Sequence, residues 1–258
     1  MSKSIAEVFA RGKAFIPFVT CGDPDLERTE ALVRALVVGG ADMVELGIPF
    51  SDPTAEGPVI AAATARALAA GTTTDRVFAM LERLGDLDVP LAFMTYANVV
   101  FSYGAERFIS RAAALGIRAL ILPDVPYEER GEFESVCDAH GVALIRFIAP
   151  TSDERIPMIC EGAKGFLYVV SSLGVTGVRD GVPQELASLL ARIRAVSNVP
   201  AAVGFGISTP EQAKAIGSIA DGVIIGSAVV KLAHERGAEA PEALQAYAES
   251  IKVALETI

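Results

Sequence analysis

Two acids in one short stretch are the residues best suited to chemistry. Glu45 closes a short apolar run, and Glu56 follows eleven residues later, within Val44–Ile60, VELGIPFSDPTAEGPVI. A carboxylate on a strand of buried type is costly to keep charged. Burial raises its pKa, which suits Glu45 to hold and release a proton near neutral pH. Between the two acids, Gly47, Pro49, Pro53, Gly57 and Pro58 force an irregular loop, the kind of segment on which sites are assembled. Glu56 is expected to face Glu45 across that loop.

A second set of residues could bind an anion. Three glycine-bearing stretches occur late in the chain: SSLGVTG (Ser171–Gly177), GFGIS (Gly204–Ser208) and IGSAVV (Ile225–Val230). Glycine lets backbone amides approach a ligand closely. A helix beginning at Ser227 would add unpaired N–H groups and the positive end of its dipole, with Ser227 itself a suitable cap. One such glycine makes only a tight turn, but three converging turns argue for a dianion held by Gly177, Gly204, Phe205, Gly206, Gly226 and Ser227. No dinucleotide fingerprint is present.

The elements that must carry these residues read as strands alternating with helices. Short apolar or β-branched runs fall at Phe15–Thr20, Met43–Leu46, Leu91–Thr95, Ala119–Leu122, Ala143–Phe147, Phe166–Val170, Ala201–Val203 and Val223–Ile225. Helical spacing fills Leu26–Val38, Ile60–Ala70, Ala105–Leu115, Glu128–His140, Glu154–Cys160, Gln184–Val196, Pro210–Ile216 and Ala240–Ile258. Strict alternation with near-continuous apolar strands predicts parallel pairing and a sheet covered on both faces. Eight such units in 258 residues fit one (β/α)8 TIM barrel spanning 1–258, rather than a doubly wound sheet, with Ser4–Arg11 as an extra N-terminal helix plugging one end. In such a barrel the loops after the strands form the active face. Glu45 stands at the end of the second run, Asp23, Tyr96, Asn98, Asp124 and the three glycine turns follow strands, and the phosphate end of barrels is commonly built after the seventh and eighth.

Composition narrows the function classes. The formal net charge of −10, with Lys and Arg scattered, disfavours nucleic acid. Mean hydropathy is +0.43, yet no apolar stretch reaches the roughly 20 residues needed to span a bilayer. The start, MSKSIAEVFARGK, has no apolar signal core, so a cytoplasmic location is expected. Cys21, Cys137 and Cys160 are too few and too scattered for a disulfide framework. With only His140 and His234, no zinc cluster is expected.

These motifs resemble one family, the alpha subunits of tryptophan synthase. Its members carry an opening PF(V/I)TxGxP, a loop ELG(I/V)PFSDPxA(D/E)GP, and GVTG and GFGI segments. Here they are Pro17–Pro24, Glu45–Pro58, Gly174–Gly177 and Gly204–Ile207. The resemblance implies retro-aldol cleavage of indole-3-glycerol phosphate to indole and glyceraldehyde 3-phosphate. By that likeness Glu45 shuttles protons and Glu56 stabilises the ring N–H cation. The second acid is usually Asp, so Glu56 sets its carboxylate one methylene further out. The likeness further implies Phe18, Met94, Tyr96, Ile148, Tyr168 and Thr176 on the substrate, with Thr176 in a closing loop from Ser172 to about Pro183. Barrel core is the competing role for Phe18, Met94 and Tyr168. Asp52, Pro53, Asn98, Asp124 and Pro126 match positions facing a beta subunit in an alpha2beta2 heterotetramer, where pyridoxal phosphate belongs to the partner and this chain carries no cofactor. Two other activities stay open at this stage: a stand-alone indole-3-glycerol phosphate lyase, and a catalytically weak allosteric subunit that activates a beta subunit.

Overall fold

Among the described residues nine strands run parallel in one sheet: β1 (Ala14–Thr20), β2 (Val44–Gly47), β3 (Leu91–Met94), β4 (Ile117–Ile121), β5 (Ala143–Leu144), β6 (Arg146–Ile148), β7 (Leu167–Val170), β8 (Ala201–Gly204) and β9 (Gly222–Ile225). The computed structural model describes residues 4–85, 87–170, 183–204 and 206–258. The order β5-β4-β3-β2-β1-β9-β8-β7-β6 puts β5 and β6 at opposite ends of the sheet. Yet these two are joined through the single residue Ile145, whose amide still donates to Leu120 O at 2.9 Å. The sheet therefore closes on itself. The expected fifth strand is one segment in two halves, the first pairing with β4 and the second with β7.

Side chains alternate across the wall with the period of two that a strand imposes. Ile16, Ala92, Ala119, Ile121, Phe166, Tyr168, Ala202 and Ile224 fill the interior. Phe15, Val19, Val44, Leu46, Phe93, Val169, Val203 and Val223 face the surrounding helices. That outer layer is α2 (Leu26–Val38), α3 (Pro58–Ala69), α4 (Thr74–Leu84), α5 (Ala97–Tyr103), α6 (Ala105–Ala114), α7 (Gly131–Ala139), α8 (Ile156–Cys160), α9 (Gln184–Arg194), α10 (Pro210–Gly217), α11 (Ser227–Arg236) and α12 (Ala240–Glu256). The helix α1 (Ile5–Ala10) precedes them, started by a capping box between Ser4 and Glu7. Its Ile5, Val8 and Phe9 pack into the interior cluster, with the Phe9 and Phe166 rings 5.7 Å apart. That contact plugs the end of the cylinder where the strands begin.

Local chemistry sets the boundaries nearest the site. Asp25 caps α2 through the Arg28 amide at 2.7 Å. Pro58 opens α3 at a position where its missing N–H costs nothing. Two helices, α4 and α5, are additional to those expected from the sequence. Among the described residues no helix is long and apolar enough to cross a membrane.

Candidate active site

Glu45 points into the cylinder. Its register partners are Phe18 on β1 and Ala92 on β3, both interior positions. The side chain is 0% exposed, and neither carboxylate oxygen has a hydrogen-bond partner. Burial pushes its pKa up from 4.5 to about 8, so the group is a neutral acid at pH 7 that can lose its proton without a large penalty. Burial, and then the charge of Glu45, raise the pKa of the Tyr168 hydroxyl well above the ordinary tyrosine value. These two groups therefore share one low-dielectric space.

Aromatic and small residues shape the space around that acid. The Tyr168 ring lies 4.9 Å from that of Phe147. A Cβ on Gly204 would stand 2.6 Å from the Tyr168 ring, so only glycine leaves room for it. Phe18 groups with Ala63 and Val230, with Met94 packed alongside. A Cβ on Gly47 would come 2.4 Å from the Phe18 ring. Phe18, Met94 and Tyr168 thus line the same interior as Glu45. Ile148 corrects the expectation: it pairs with Val169 and packs in the outer cluster between sheet and helices. The register puts Phe147 beside Tyr168 instead, and strand alternation along 143–148 was the signal that could have found it.

Glu56 lies in the irregular segment between β2 and α3, half-buried. The Thr64 hydroxyl on α3 donates to its Oε2 at 3.4 Å. Burial raises its pKa, and the Thr64 hydrogen bond acts in the opposite direction. Thr64 carries no sequence signal for this role. The Tyr96 hydroxyl accepts the Thr54 and Ala55 amides, each at 3.1 Å, a contact that the sequence did not indicate. Beneath α3, Arg66 forms a two-pronged ion pair with Asp23, at 2.8 and 2.7 Å. This ties the helix that follows Glu56 to the turn after β1.

The elements expected to bind an anion lie only partly within the described residues. Gly204 ends β8, and Gly206 follows with φ of +78°, a left-handed conformation suited to glycine. Gly226, not Ser227, is the cap of α11; Ser227 is its first helical residue, and no side chain caps that start. The amides at that end are therefore not taken up by a side-chain cap, as an anion site needs. Thr176, Gly177, Phe205 and the segment 171–182 lie outside the described residues.

At the corner expected to face a partner, Asp52, Asn98, Asp124 and Pro126 are exposed or partly so, and Pro53 is half-buried. Asp124 has a structural task as well. Both its oxygens accept the Ala97 amide, at 3.0 and 3.1 Å, and so hold the start of α5, which carries Asn98. A cavity of about 490 Å³ opens next to this corner, lined by Leu122, Asp124, Tyr127, Arg130, Phe147 and Arg155 among others; neither Glu45 nor Glu56 lines it. Among the described residues no group of three or more His, Cys, Asp or Glu could hold a metal ion.

Known proteins resemble this chain over nearly its whole length. The family model described as Tryptophan synthase alpha chain matches residues 6–257. A tryptophan synthase alpha chain of Lacticaseibacillus casei is 49% identical over 257 residues, covering 99% of this chain and 96% of that one. The crystal structure of tryptophan synthase subunit alpha from Legionella pneumophila str. Paris superposes with a TM-score of 0.90 at 37% identity, covering 98% of each chain. A chain in the tryptophan synthase complex of Pyrococcus furiosus gives a TM-score of 0.84 at 33% identity, covering 94% of this chain and 98% of that one.

Proposed function

This chain belongs to the tryptophan synthase alpha chain family, and from that premise we propose that Glu45 and Glu56 are its catalytic pair. The protein is a lyase of tryptophan biosynthesis that cleaves indole-3-glycerol phosphate. The reaction breaks the bond between the indole ring carbon and the glycerol side chain. Its ring carbon must first gain a proton, so that the ring can accept the electron pair of the breaking bond. The adjacent glycerol hydroxyl then loses its proton as its carbon becomes the aldehyde.

Glu45 suits both transfers. As a neutral acid it donates to the ring carbon; as the resulting carboxylate it takes the hydroxyl proton, which restores the acid and balances the cycle. The carboxylate form of Glu56 stabilises electrostatically the positive charge that develops at the ring N–H. Phe18, Met94, Phe147 and Tyr168 supply the walls for the aromatic ring. The Gly204–Gly206 turn and the amides at the start of α11 receive the phosphate, with Gly177 and Phe205 added on the sequence resemblance. The observation that carries this reading is a fully buried, unpartnered carboxyl with a pKa of about 8 in the interior of the barrel.

The 258 residues act as one domain in the cytoplasm. We assign no cofactor to this chain: pyridoxal phosphate belongs to a beta subunit that docks at the Asp52, Pro53, Asn98, Asp124 and Pro126 corner of an alpha2beta2 assembly and takes up the indole. Indole release from indole-3-glycerol phosphate, measured for the chain alone and with a beta subunit, tests the assignment. Glu45→Gln should bind substrate yet release indole at least about a thousandfold more slowly, since a required proton shuttle is gone. Near-normal turnover in that variant would refute the role of Glu45.

A further inference from the structure

Glu56 must be placed accurately, yet its segment between β2 and α3 carries no regular structure. Hydrogen bonds from neighbouring strands hold its beginning: Ile48 donates to Met94 O at 2.9 Å, and the Thr95 hydroxyl donates to Ile48 O at 3.4 Å. Near Glu56 two side chains act: the Thr64 hydroxyl donates to its carboxylate at 3.4 Å, and Tyr96 holds the backbone just before it. The Tyr96 hydroxyl accepts two consecutive backbone amides, Thr54 and Ala55, immediately before Glu56. The ring cannot easily yield, because Tyr96 is 3% exposed and packs against Phe50 with centroids 5.2 Å apart. The residue after it, Ala97, is held in turn by both oxygens of Asp124.

The geometry points to Tyr96 as a positioning residue that sets where the Glu56 carboxylate stands, with Asp124 bracing Tyr96 from the next loop. This rests on the reading of Glu56 given above. Two amides fill the acceptor sites of the hydroxyl, leaving its own proton free to point elsewhere. The Glu56 and Asp124 charges both contribute to raising the Tyr96 pKa, after burial, which places the two acids within electrostatic reach of the hydroxyl. Tyr96→Phe keeps the ring and its packing but releases both amides. Because an error of about 1 Å in a catalytic group can cost roughly a hundredfold, a freed Thr54–Ala55 segment is expected to lower turnover rather than substrate binding.

The test is a double-mutant cycle on the full chain, with kcat and KM for indole-3-glycerol phosphate measured for the wild type, Tyr96→Phe, Glu56→Gln and the double variant. Tyr96→Phe is expected to lower kcat by about ten- to a hundredfold with KM within about twofold. In the Glu56→Gln background the same change is expected to slow the enzyme by less than about twofold, because its effect passes through Glu56. If Tyr96→Phe does not fold, Asp124→Asn enters the same cycle and is expected to give a smaller loss in kcat alone. Equal losses in both backgrounds, or a raised KM with kcat unchanged, would overturn the positioning role while leaving Glu56 catalytic. A Glu56→Gln variant at full rate would overturn both readings.

Discussion

At the scale of single residues, Glu45 shows what a barrel interior does to an acid. Its neighbours are apolar, both oxygens lack partners, and burial alone accounts for its raised pKa. That shift has a consequence for stability. The folded chain keeps the Glu45 proton up to about pH 8, whereas in the unfolded chain a Glu ionises near pH 4.5. Between these values the folded state binds more protons, so stability is greatest at the acidic end and falls as pH rises, by up to about 1.4 kcal/mol per pH unit. Glu45→Gln keeps the shape of the neutral acid without titrating. Denaturant unfolding from about pH 5 to about pH 8 should show the wild type losing stability relative to that variant, and parallel profiles would contradict the assigned shift. The acid and its raised pKa were legible in the sequence, because a lone Glu on an apolar strand costs free energy and burial there disfavours its charged form. Phe147 and Thr64 were not. Phe147 depends on which face of the strand turns inward, and Thr64 meets Glu56 only once α3 has folded beside the loop.

Among the elements, the segment from β2 into α3 draws its order from neighbours rather than from its own backbone. Tyr96 holds its centre, and Arg66 clamps the following helix to Asp23. The Asp23 side chain is only 7% exposed and Arg66 33%. Arg66→Met strands a buried carboxylate and should destabilise the fold by about 2 kcal/mol, less than for a fully buried pair because the guanidinium keeps some solvent. Urea unfolding checks this, and an unchanged midpoint would mean the pair does not hold α3. Helices such as α2 and α9 follow the apolar spacing of the chain almost to the residue, since that spacing and the caps are local signals. The expected fifth strand, however, is continuous in its apolar pattern and divided in the fold. Its division at Ile145 follows from the first half pairing with β4 and the second with β7, a choice made by two other strands.

For the whole molecule, closure of the cylinder separates a stabilising end from a reactive one. The plug formed by Ile5, Val8 and Phe9 fills the end where the strands begin, while Glu45, Tyr168 and Gly204 look toward the other. Ile5→Ala is expected to lower stability by roughly 2 to 4 kcal/mol, with kcat for indole release within about twofold of the wild type. A large loss of kcat at undiminished stability would show that the two ends are not independent. The barrel class, the plug and the burial of Glu45 could all be read from the chain itself, because hydrophobic period and motif spacing are written along one dimension. The partners of those groups could not. That Tyr96 grips a loop about forty residues away, that Arg66 reaches Asp23, that Asp124 holds the start of α5 and that Ile148 packs outward were decided only when the sheet closed. Register and helix packing choose which distant side chains become neighbours, and no local pattern in a chain encodes that choice.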